Sequence, residues 1–164
     1  MKHINPALAC AAVAFAYVTI GPATCPASAQ SAPFSGMAGA WSGSGTISLA
    51  DGSRERIRCR ANYVVSGGQN GLRQSLRCAS DSYKFELTSD VVSEGQRISG
   101  SWSETTRGVS GGLQGRVAGP HMTVAADAPG FSASISLATH GNRQSVSISS
   151  AGDIRSVSIS MVRF

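Results

Sequence analysis

The chain has 164 residues, of which 41% are hydrophobic, 6% aromatic and 14% charged, with a formal net charge of +5. That length suits one domain rather than two. A mean hydropathy of zero excludes a membrane helix bundle, and the apolar share excludes a disordered tail.

Met1-Lys2-His3 is a basic start, Ala7 to Ile20 is an uncharged apolar run of 14, and Ala27-Ser28-Ala29 has the small-x-small form a signal peptidase reads. Together they predict a secretory signal peptide over 1–29, cut after Ala29, and a periplasmic or secreted product. The run is shorter than the roughly 20 residues a spanning helix needs. Cys25 follows Thr24, which disfavours a lipoprotein anchor. Residues 30–39 are small and polar and read as a flexible lead-in, leaving 40–164 as the folded domain.

Ten short runs then follow. They are Trp41 to Leu49, Arg54 to Val65, Leu72 to Ser80, Tyr83 to Thr88, Arg97 to Thr105, Leu113 to Ala118, His121 to Ala126, Phe131 to Thr139, Gln144 to Ser149 and Arg155 to Phe164. Apolar and polar residues alternate within them, and Gly, Asn, Asp and Ser separate them, which is the signature of strands. No stretch sustains a 3.6-residue period. The expected fold is all-β: an antiparallel meander barrel of about 8–10 short strands with one disulfide, a sandwich being the alternative. Ser145-Val146-Ser147-Ile148-Ser149 recurs as Ser156-Val157-Ser158-Ile159-Ser160, a hairpin periodicity with one apolar and one serine face. An outer-membrane barrel would need apolar lipid-facing bands and aromatic girdles, which eight aromatic residues after Ala29 do not supply.

Beyond the leader only Cys59 and Cys78 remain. In an antiparallel hairpin the residue numbers of opposed pairs have a constant sum. A six-residue loop from Ser66 to Gly71 sets Val65 opposite Leu72, and that register sets Cys59 opposite Cys78. The pair is therefore expected to form a disulfide. Two cysteines without nearby histidines make a poor zinc cage, so no metal site is expected.

The second run carries Ile57, Cys59, Ala61, Tyr63 and Val65 on one face and Arg54, Arg56, Arg58 and Arg60 on the other. The same register puts Arg77 beside Arg60, with Arg73 further along. This predicts an anion-binding face for a lipid phosphate, an acidic saccharide or an acidic envelope or protein partner. The bland alternative is a solvated exterior in which arginine stems cover apolar surface. Nucleic acid is not expected, because no aromatic residues interleave with the arginines.

Catalytic patterns are sparse. Gly108-Val109-Ser110-Gly111-Gly112 matches G-x-S-x-G, with Asp127 and His140 following in triad order. A nucleophile elbow needs a strand-to-helix turn, and here a strand follows. The sequence is read as non-enzymatic, with a serine hydrolase using Ser110 as the alternative. His121 and His140 read as surface imidazoles, and no cofactor fingerprint occurs. Glu104, close behind Trp102, is the carboxylate to inspect for a raised pKa.

Gly39-Ala40-Trp41 opens the first run and resembles the G-x-W signature of lipocalins and related calycins. The resemblance implies a meander barrel whose Trp closes one end beneath an arginine from a late strand, Arg155 or Arg163, as a cation–π contact. The usual lipocalin C-terminal helix is missing, which favours the shorter calycin types. It implies a cavity for a small apolar or amphipathic ligand, with Trp41, Tyr63, Phe85, Trp102, Ile135 and Val157 as candidate lining. The same residues would equally fill a dry core. The early G-x-W and single disulfide are also similar to bacterial periplasmic inhibitors of secreted metalloproteases, where a flexible N-terminal arm acts; residues 30–39 occupy the matching place.

Overall fold

The computed structural model describes residues 32–164, so the expected signal peptide over 1–29 lies outside the described residues. Ten strands follow in order: β1 Gly39–Leu49, β2 Arg54–Ser66, β3 Gly71–Ala79, β4 Lys84–Glu94, β5 Arg97–Glu104, β6 Val109–Ala118, β7 His121–Ala128, β8 Phe131–His140, β9 Arg143–Ser150 and β10 Ile154–Arg163. Each pairs antiparallel with its chain neighbour, and β1 pairs with β10, which closes the barrel. Among the described residues no helix is long and apolar enough to cross a membrane.

The period-two alternation makes the two faces. In β2 Ile57, Cys59, Ala61 and Tyr63 are buried while Arg56, Arg58 and Arg60 are exposed. Val146 and Ile148 of β9 and Val157 and Ile159 of β10 turn in, while Ser145, Ser147, Ser158 and Ser160 turn out. Two-residue turns join several hairpins; Gly141, between β8 and β9, has φ +60°, a conformation glycine adopts without strain. Some inward positions need glycine for space: a Cβ on Gly45 would run into the Ser158 carbonyl of β10.

The two ends differ. Where β1 begins, a turn over residues 32–38 carries Phe34 (0% exposed) and Met37 into the same apolar cluster as the barrel interior. Trp41 is fully buried beneath them, and its Nε1–H donates to the Met37 carbonyl at 2.9 Å. The segment expected as a flexible lead-in is thus, over its described part, a plug. Its small polar composition hid two apolar residues spaced to point into the barrel together. At the other end, inward residues such as Leu49, Phe85, Val109 and Ile154 are only half-buried, so the interior opens there.

The disulfide forms as the register requires. Cys59 lies opposite Cys78 and Val65 opposite Leu72, and the sulfurs bridge β2 and β3 inside the barrel.

Candidate functional site

The interior is built in layers above the plug. Tyr63 meets the Trp41 indole edge-on at 6.3 Å. Its hydroxyl donates to Gln144 Oε1 at 2.9 Å, and Gln144 Nε2 donates to Thr139 Oγ1 at 3.1 Å. From the other side Gln74 Nε2 reaches the Tyr63 hydroxyl at 3.5 Å, and Ser89 Oγ donates to Gln74 Oε1 at 3.1 Å. A polar chain therefore crosses the barrel from β4 to β8. Burial pushes the Tyr63 phenol pKa up, with the Gln144 hydrogen bond opposing it. The phenol stays protonated and remains a donor.

Trp102 of β5 lies on the inner face between Ser89 of β4 and Gly111 of β6. Its indole packs against Phe131 at 5.4 Å. Trp102 is 7% exposed, and its Nε1–H has no acceptor among the described residues. An unmet buried donor costs about 1–3 kcal/mol. Position 111 beside it requires glycine, because a Cβ there would run into the Asp127 carbonyl of β7.

The open end has an aromatic and charged rim. Tyr83 and Phe85 stack nearly parallel at 6.1 Å. The Arg107 guanidinium lies 4.8 Å from the Phe85 ring centre and 6.0 Å from that of Tyr83. Glu104 is buried beneath this rim. Its carboxylate accepts the backbone N–H of Glu86 at 3.1 Å, of Thr106 at 3.0 Å and of Arg107 at 2.8 Å. Burial pushes its pKa up, but these donors win and hold it below the ordinary glutamate value. The raised value looked for in the sequence is therefore reversed, because the chain folds its own amides around the carboxylate.

Of the six candidate lining residues, all face inward, but they do not form one surface. Trp41 is sealed by the plug, and the Tyr63 hydroxyl is engaged by Gln144. Val157 is buried between Ile47 and Ile148. Ile135 and Phe85 are half-buried, and Trp102 lies inward of the open end. Sequence reasoning missed Phe131, Tyr83 and Arg107. Phe131 has the inward parity of Ala133 and Ile135, a signal that was readable; nothing local marks Arg107.

The arginine stripe faces outward. Arg56, Arg58, Arg60 and Arg77, with Lys84, line an open groove of about 720 Å³ across the outer face of β1–β4. Arg54 is exposed but not among its lining residues, and Arg73 is bound to Asp90 at 2.7 Å instead. Arg163, one of the two arginines expected over Trp41, lies 5.4 Å from its ring centre. Ser110 is on the exposed face of β6. Asp127 is near it at the open end, whereas His140 ends β8 at the plugged end, about 25 Å from Asp127 along the strands. The three residues of the hydrolase alternative do not meet. His140 instead stands edge-on to His121, 5.7 Å between ring centres.

No family model and no curated protein matches the sequence. Among solved structures, the fold is similar to the crystal structure of Rv2717c from M. tuberculosis, with a TM-score of 0.64 at 13% identity, covering 80% of this chain and 94% of that one. It is also similar to the S-type phycobiliprotein lyase CPES from Guillardia theta, with a TM-score of 0.51 at 11% identity, covering 80% and 90%. At such identities the likeness is one of fold alone, a closed antiparallel barrel in this chain.

Proposed function

We propose that this protein is an exported, non-enzymatic barrel that holds a small apolar or amphipathic molecule, entering at the open end. The unmet Trp102 indole donor carries the reading: inside an apolar barrel it is satisfied by a ligand with one hydrogen-bond acceptor. The half-buried mouth, with Phe131 against Trp102 and Phe85 stacked on Tyr83 at the rim, supplies apolar surface for the rest of that molecule. One phycobiliprotein lyase among the similar folds is compatible with small-ligand binding. The disulfide favours an oxidising compartment. The outward serines and arginines favour an aqueous barrel over a lipid-embedded one. An inhibitor acting through residues 30–39 is disfavoured, because Phe34 and Met37 are already buried in the barrel end.

The test is native mass spectrometry of protein purified from its host. A co-purified mass of a few hundred daltons that is lost on denaturation is expected, and a clean apo spectrum counts against the reading. Trp102→Phe removes the donor and keeps an aromatic, though smaller, ring at this position. Affinity for the eluted molecule should fall about tenfold, the loss of one buried hydrogen bond, while circular dichroism shows the strands kept. Unchanged affinity would remove Trp102 from the site.

A further inference from the structure

The barrel carries a second feature that its interior does not use. We propose that the groove on the outer face of β1–β4 binds a linear acidic polysaccharide. This is independent of any ligand held inside.

The groove exists because Ala79 of β3 sits in register between Arg58 of β2 and Lys84 of β4. A methyl group thus occupies the centre of a ring of long cationic side chains. Arg56, Arg58, Arg60, Arg77 and Lys84 line it, against one carboxylate, Glu86. That carboxylate lies 3.8 Å from Arg77, whereas Arg73, the other arginine of β3, has Asp90 at 2.7 Å. Arg56, Arg58, Arg60 and Lys84 make no ion pair among the described residues. Arg60 directly faces Arg77, a like-charge pairing that destabilises the empty sheet and that a bound polyanion relieves.

The arrangement selects a chain rather than a single anion. Arg56, Arg58 and Arg60 rise along β2 in steps of about 7 Å, so one phosphate engages only part of the row. Four of the five cations are arginines, whose planar forks match carboxylate or sulfate oxygens two at a time. Each β2 arginine has a hydroxyl beside it in register on β1: Thr46 for Arg56, Ser44 for Arg58 and Ser42 for Arg60. Cation and hydroxyl repeated side by side suit a sugar chain that repeats acid and hydroxyl. The exposed apolar residues Val64, Val162 and Phe164 do not line the groove, which disfavours an acyl-bearing headgroup there.

Polygalacturonate is a suitable probe, with neutral dextran as the blank. The wild-type chain should bind the acidic polymer and lose it as salt rises. Arg56→Ser, Arg58→Ser and Arg60→Ser together should weaken binding tenfold or more, roughly, with circular dichroism and thermal melting showing the fold kept. The triple variant Arg97→Ser, Arg116→Ser and Arg143→Ser removes equal charge from elsewhere on the barrel and should bind as the wild type does. Equal loss in both triple variants would reduce the effect to net charge and overturn the proposal. So would no binding of the polymer, or binding of phosphatidylglycerol vesicles without it. The barrel ligand seen by native mass spectrometry should be unaffected by either triple variant.

Discussion

Arg163 ties the plug to the barrel at a single side chain. It covers the Trp41 ring, and its Nη1 donates to the carbonyls of Gly36 at 2.9 Å and Ala38 at 3.3 Å. Arg163→Ala should lower unfolding stability in urea by about 1–2 kcal/mol. Arg163→Lys keeps the charge without the flat fork and should recover less than half of that. Glu104 sets an acid limit. Its folded-state pKa lies below the ordinary 4.5, so its contribution is fully present above that value and is lost as pH falls through the lowered one. Melting temperature should fall on acidification below the ordinary carboxylate range, and Glu104→Gln should flatten that fall. Some acid sensitivity should persist in the variant. Glu55 is also held low, by hydrogen bonds from Ser82 and Ser80, and Asp51 by those from Ser53.

At the level of elements, the β2–β3 hairpin is covalently stapled across a separation of 19 residues. Replacing both cysteines with serine should reduce stability by about 3 kcal/mol in a denaturant titration, with an unchanged strand spectrum. This hairpin was legible in the sequence because alternation and loop length together leave one register. All ten strands were legible for the same reason, but two were cut short by four residues or more. β4 continues past Thr88 to Glu94, because Ser89 and Ser93 take inward positions where an apolar residue is expected. β6 starts at Val109 rather than Leu113, because inward Gly111 reads as loop when its crowding against β7 cannot be seen. The site was less legible than the fold. Parity gives the face of a residue but not its depth, so Trp41 and Trp102 look alike in sequence although one is sealed and one is near an opening. Likewise the stripe was visible, but the neutralisation of Arg73 depends on Asp90, a strand away.

The molecule as a whole is an asymmetric cup, shut by its own N-terminal turn and open at the other rim. Phe34→Ala removes the fully buried ring of that plug and should cost about 3–5 kcal/mol. It should also let a hydrophobic dye reach the Trp41 end and quench its fluorescence; a variant as stable and as dye-silent as the wild type would show that the plug is dispensable. The pairing of β1 with β10 has a kinetic consequence. The first strand to leave the ribosome finds its second partner only in the last, so every shorter nascent chain carries two unpaired edges. Closing so long a loop is entropically slow, and those edges invite pairing with other molecules meanwhile. Refolding yield should therefore fall with concentration far more steeply than refolded stability does, and a chaperone that masks strand edges should restore it.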